Sequence, residues 1–128
     1  MTLSKLTHKA KIDFLLVIVY MALIFYLSSI PLEFPEIINE LDPTKFSLHL
    51  AEYTILGFLL FNAKKNFNFS FLVSSLYGLS DEVHQYFVPY RTFSLFDLLA
   101  DMIGSLFGIV IFLYLQRTRF YKRFKLNI

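Results

Sequence analysis

The chain has 128 residues, of which 56 % are apolar and 19 % aromatic, a composition that fits one membrane domain and not a soluble one. A net charge of +2 and no cysteine leave out disulfides, thiol nucleophiles and thiolate metal sites, and predict no nucleic-acid partner. The basic residues instead flank the apolar runs, where they anchor to anionic lipid headgroups.

A hydrocarbon core takes roughly 20 apolar residues per helical span, so four such runs use the whole chain. The first, residues 12–30, is apolar except for Asp13 at its inner boundary. It follows Lys5, Lys9 and Lys11 as a signal peptide would, but Ser28-Ser29-Ile30-Pro31 is a poor cleavage site, and the run reads as an uncleaved anchor. Pro31 ends it, and Pro35 and Pro43 keep the loop over residues 32–45 irregular. Phe34, Ile37, Ile38 and Leu41 make that loop a segment lying on the membrane surface. The second run, residues 46–62, carries His49 and Glu52 in its first turns. The third, residues 67–85, collects Asp81, Glu82, His84 and Gln85 at its outer end. The fourth, residues 93–115, begins with Asp97 and Asp101 and is apolar thereafter. Ser94 caps it, with Asp97 three residues on in a capping-box arrangement. Gly104 and Gly108 form a small-xxx-small stripe, for packing within one chain or for a homo-oligomer.

Charge orders these runs. Ten of the twelve Lys and Arg residues precede the first run, divide the second from the third, or follow the fourth. Basic residues in short loops stay cytoplasmic, so the expected fold is an all-α, four-helix transmembrane bundle with both termini inside. Lys45 and Arg91 are the two exceptions. Lys45 lies with Glu33, Glu36, Glu40 and Asp42 in the first outer loop, and Arg91 follows Pro89 between the third and fourth spans.

With this topology the ionisable residues converge in the outer half of the bilayer. His49 and Glu52 share one face of the second span. Gly78, Asp81, Glu82 and Gln85 follow an i, i+3, i+4, i+7 stripe on the third. Asp97 and Asp101 continue into Gly104, Ser105 and Gly108 on the fourth. A charge at mid-bilayer costs about 2.5 kcal/mol to over 10 kcal/mol, so such groups face a partner or a water-filled cavity. Five carboxylates at one level exceed the cations beside them, and protons or a bound cation must neutralise the remainder. An outward polar pocket between the second, third and fourth spans is expected, with the first span as a brace. Only one of the neighbours Asp81 and Glu82 is expected to point inward, and His84 falls off the shared stripe. His49 with Glu52 and Asp97 with Asp101 have spacings that let a helix offer two ligands to one ion. Oxygen-rich ligation favours Mg²⁺, Mn²⁺ or Ca²⁺. The chemistry such a site supports is metal-assisted hydrolysis or transfer at a lipid phosphate or headgroup, with Arg91 holding an oxygen and His49 or a carboxylate moving protons. The plainer alternative is a non-catalytic binding or scaffold protein whose polar cluster joins helices, each pair contributing about 0.6 kcal/mol.

The stretch Lys45-x-x-x-His49-x-x-Glu52-Tyr53-x-x-Leu56-Gly57 resembles the first signature of the VanZ-like membrane proteins, and residues 78–104, from Gly78-Leu79-Ser80-Asp81-Glu82 through Pro89-x-Arg91, Asp97 and Asp101 to Gly104, resemble the second. Two departures stand out. Tyr90 replaces the glycine common between Pro and Arg, and the interval from Lys45 to His49 is one residue longer than usual. The resemblance implies a multi-pass protein of the bacterial cytoplasmic membrane, in a family whose founding member is associated with low-level resistance to the glycopeptide teicoplanin. It carries His49, Glu52, Asp81, Glu82, Gln85, Pro89, Arg91, Asp97 and Asp101 over as signature positions without assigning them catalytic roles. The functional expectation is an outer-leaflet pocket that binds a cell-envelope amphiphile such as a lipid-linked wall precursor or a phospholipid headgroup, with its chemical modification as the enzymatic form of that reading.

Overall fold

A computed structural model describes residues 3–31, 36–41 and 45–125. They form helices α1 (Leu3–Ser28), α2 (Glu36–Leu41), α3 (Phe46–Lys64), α4 (Phe67–Tyr86) and α5 (Leu95–Lys125), with no strand among the described residues. The four long helices are the four expected runs. α1 starts before its apolar run and α5 outlasts its own, because Lys and Arg are good helix formers and nothing in those flanks breaks the helix. At 31 residues, α5 is about 46 Å long, well beyond a hydrocarbon core of about 30 Å. The short α2 is helical where an irregular loop was expected, and its Ile37 and Leu41 are exposed. Glu33, Phe34, Pro35, Asp42 and Pro43 lie outside the described residues, as do the side chains of Ile38 and Glu40.

Among the described residues, three helices are long and apolar enough to cross a membrane: α1 over His8–Ser28, α3 over Phe46–Lys64 and α5 over Leu95–Arg119, with mean hydropathies of 2.1, 1.2 and 2.2. α4 has the length, 20 residues, but its serines and carboxylates keep it below the apolarity of the others. It turns those groups inward. Ser70, Ser74, Gly78, Asp81, Glu82 and Gln85 are buried, whereas Leu72, Leu76, Leu79 and Val83 are exposed. Elsewhere too most leucines, isoleucines and phenylalanines are exposed, while the interior combines buried polar residues with a small apolar core.

Contacts fix the directions of the helices. His49 meets Asp101, Gly108 meets Thr54 and Phe58 meets Phe112, so α3 and α5 run parallel. Tyr77 donates to the Met21 carbonyl and His84 stacks on Phe25, which sets α1 and α4 parallel, and the short turn after α3 makes α4 run opposite to it. The start of α1, the α3–α4 turn and the end of α5 therefore share one end, which is basic. There, burial and the nearby Lys9 ammonium hold the Lys65 amine below its usual value, with Asp13 opposing them. The α3–α4 turn is only two residues long. Lys65 adopts the left-handed conformation and donates its N–H to the Phe61 carbonyl, while the Asn66 side chain caps α4 by accepting from Phe69 N–H at 2.8 Å.

The closest pair is α3 with α5, and glycine makes that approach possible. A Cβ on Gly57 would overlap the Ser105 backbone, and one on Gly108 would overlap the Thr54 carbonyl. Gly104 likewise lies against the Leu50 carbonyl. The Gly104–Gly108 stripe, which a homo-oligomer could also have used, is thus covered by α3 of the same chain. Apolar packing fills the other side of α3, where Tyr53, Leu56 and Leu60 meet Val17 and Ile24 of α1.

Two stability tests follow from backbone geometry. Gly108→Ala should destabilise the protein by about 1–3 kcal/mol through overpacking, although alanine is the better helix former by about 1 kcal/mol. A thermal melt unchanged in detergent would contradict the close approach. Tyr90, 82 % exposed, sits at φ 65°, where any side chain costs about 1–2 kcal/mol. Tyr90→Gly should therefore raise the melting temperature, and a fall would argue that the tyrosine ring has a contact of its own.

Candidate functional site

Parallel packing of α3 on α5 brings the first turns of both helices level, and α4 closes the third side. His49 lies at the centre. Its Nδ1 is hydrogen-bonded to Asp101 Oδ1 at 2.9 Å and stands 3.8 Å from Glu82 Oε1. Its Nε2 faces Asp97 Oδ2 at 4.0 Å. All four residues are buried. One imidazole thus gathers carboxylates from two helices, and the expected convergence of α3, α4 and α5 holds for this group.

The start of α5 explains how Glu82 joins. Ser94 Oγ accepts from Asp97 N–H at 3.2 Å, which is the expected cap. The reciprocal half of the capping box is taken over: Ser94 N–H donates to Glu82 Oε2 at 2.8 Å, not to Asp97. A glutamate on another helix supplies the acceptor, and Asp97 is released to face His49. Glu82 thereby ties α4 to the beginning of α5 and keeps Oε1 directed at the imidazole, where it accepts no hydrogen bond.

Asp81 is buried as well as Glu82, which corrects the expectation that only one of them points inward. Consecutive helical residues differ by about 100° in direction, and both find cover because α4 has partners on more than one side, α1 and α3 as well as α5. Asp81 Oδ2 accepts from Gln85 Nε2 at 3.0 Å. His84 is off the stripe as expected, stacked on Phe25 at 4.3 Å with Nε2 3.0 Å from Ser29 Oγ.

Glu52 leaves the cluster. It lines a cavity of about 80 Å³ together with Ser28, Lys45, His49, Gln85, Arg91 and two leucines. Arg91 Nη2 reaches the Ile30 carbonyl at 3.4 Å. The eight expected site residues therefore divide in two, with Glu82, Asp97 and Asp101 on the inner group, Glu52, Gln85 and Arg91 at the cavity, and His49 in both. Asp81 is linked to the cavity through Gln85. Two features of the sequence reading need correction. α1 is more than a brace, since Ser28 lines the cavity, and the ligand set His49, Glu52, Asp97 and Asp101 is regrouped. The atoms that lie within 4.8 Å of one another belong to His49, Glu82 and Asp101, one from each helix. Lys45, not among the expected site residues, also lines the cavity. It occupies the left-handed N-cap position of α3 at φ 62°, and its place among the outer acids was the available signal.

Removing the central base should expose the cost of these acids. His49→Leu should destabilise the protein by about 3–5 kcal/mol, as when one partner of a buried pair is lost. The double variant His49→Leu/Asp101→Leu should recover part of that loss in chemical unfolding. Additive losses would show that the two residues are not coupled.

No curated protein and no solved structure matches this chain. Residues 14–116 match the sequence profile of the VanZ/LLP1 family, a stretch that holds α3 and α4 entire with the apolar parts of α1 and α5. Both signature stretches, the inner group and the cavity lie within it, and the chain belongs to the VanZ/LLP1 family.

Proposed function

We propose that the cavity between α1, α3 and α4 receives the phosphate-bearing headgroup of a cell-envelope amphiphile. One observation carries this reading. Lys45 and Arg91, the two cations that break the charge sorting of the sequence, line the same cavity. Cations set apart from the basic end and turned toward one recess favour an anionic group, which a guanidinium holds through paired N–H donors. Glu52 and Gln85 add an acid and an amide for the cationic or hydroxylated parts of a headgroup. The apolar helix faces leave the acyl or prenyl tail in lipid.

With the basic end taken as cytoplasmic, the cavity lies at the outer leaflet of the bacterial cytoplasmic membrane. A phospholipid and a lipid-linked wall precursor share the phosphate, and the family association with teicoplanin favours the second as the natural occupant. A scaffold reading has its own support, because the His49–Asp101 and Ser94–Glu82 hydrogen bonds join α3, α4 and α5 without any ligand.

Mass spectrometry of lipids retained by the detergent-extracted protein separates the two readings. Arg91→Gln should reduce retained phosphate-bearing lipid about tenfold, the change that 1.4 kcal/mol of binding energy produces, while the melting temperature stays near that of the parent. Equal retention by the variant refutes the headgroup reading and leaves the scaffold. The mass of the retained lipid identifies its class and reports any turnover.

A further inference from the structure

We propose that His49, Glu82 and Asp101 form a binding site for one divalent transition-metal ion, of the Mn²⁺ or Zn²⁺ kind. The site shares His49 with the headgroup cavity but takes its carboxylates from α4 and α5, and needs no lipid to form.

The spacing of the donor atoms suits an ion. Ligands about 2.1 Å from a metal lie about 3.0 Å apart at a right angle and about 3.4 Å apart at the tetrahedral angle. Here Nδ1 of His49 is 2.9 Å from Asp101 Oδ1 and 3.8 Å from Glu82 Oε1, and all three atoms lie within 4.8 Å. The two distances from His49 bracket the required ones, so side-chain adjustment around a common imidazole brings the three ligands onto one centre. Each ligand comes from a different helix, which closes α3, α4 and α5 around it.

Glu82 supplies the second, independent indication. Its side chain is 0 % exposed, and Oε1 faces the imidazole without a hydrogen bond. The opposite oxygen is fixed by Ser94 N–H at 2.8 Å. A buried carboxylate oxygen left without a partner is costly, and this one is held in place by a backbone donor, as an outer-shell contact orients a metal ligand. A histidine–aspartate hydrogen bond alone satisfies Asp101 Oδ1 and leaves Glu82 Oε1 and Asp101 Oδ2 without a partner. A divalent ion accounts for both, balancing two buried carboxylates while the imidazole binds in its neutral form. The neutral ligand carries its proton on Nε2, so an imidazolium releases its Nδ1 proton to solvent on uptake, and a neutral Nδ1–H imidazole shifts that proton to Nε2. One imidazole nitrogen with two carboxylate oxygens is a mixed set that suits Mn²⁺ or Zn²⁺ better than Ca²⁺.

The test uses the full chain in detergent, stripped with a chelator and titrated with Mn²⁺ while the electron paramagnetic resonance signal of free Mn²⁺ is followed. One equivalent per chain should be retained. Glu82→Gln, which keeps an acceptor for Ser94 N–H, should weaken binding at least tenfold, and Asp101→Asn should do the same. Asp13→Asn, at the basic end of α1, serves as the control for nonspecific binding to carboxylates and should leave the titration unchanged. Failure of the parent protein to retain an equivalent overturns the proposal, as does undiminished binding by either cluster variant or an equal loss in Asp13→Asn. If Glu82→Gln does not fold, Asp101→Asn decides alone. The headgroup reading stands or falls separately, because Arg91 is outside this ligand set.

Discussion

Backbone contact between α3 and α5 underlies the rest of the structure. Lipid tails are as apolar as leucine, so helices within a bilayer gain little by hiding leucines from their surroundings. They associate where surfaces fit closely and polar groups meet. Gly57 on α3 and Gly104 and Gly108 on α5 remove the side chains that would hold the two helices apart. Because the pair is parallel, the same contact sets the first turns at one level and brings His49 against Asp101. Gly78 extends this logic to α4, since a Cβ there would press on the Asp101 carboxylate at 2.8 Å.

On that frame, His49 divides the polar interior into two environments. One side is a tight acid group within the bundle, and the other is a small cavity with both cations of the acidic end. The division depends on Glu82. By accepting the Ser94 N–H, it takes the place that Asp97 would fill in a self-contained helix start, and it couples the orientation of α4 to that of α5. Ser28 of α1 and Lys45 at the head of α3 complete the lining of the cavity.

Sequence periodicity and charge were sufficient for much of this arrangement. The stripe from Gly78 to Gln85 identifies the inward face of α4, and the spacing of Asp97, Asp101, Ser105 and Gly108 identifies that of α5. Basic clusters identify which chain ends lie together. What remained hidden depends on contacts between helices. The exchange of capping partners at Ser94 is invisible locally, because the sequence around residue 94 supplies a complete capping box of its own. Glu52 and His49 share a face, yet one turn of helix is enough to direct Glu52 at the cavity and His49 at Asp101. The burial of both Asp81 and Glu82 requires neighbours on two sides of α4, which its own periodicity does not report. The conformation of Tyr90 follows from the path of the loop between α4 and α5, which no local pattern at a tyrosine reports.

The inverted distribution of side chains has an evolutionary consequence. In a water-soluble domain the surface drifts freely and the oily centre is conserved by volume. Here the outer surface asks only for greasiness, so Leu, Ile, Val and Phe can exchange along α1 and α5 with little effect on shape. Selection is concentrated on small and hydrophilic positions in the middle, where one added methyl or one missing oxygen is felt by three helices together. Divergent relatives should therefore look dissimilar over most of their length while agreeing at a sparse set of glycines, acids and a single histidine.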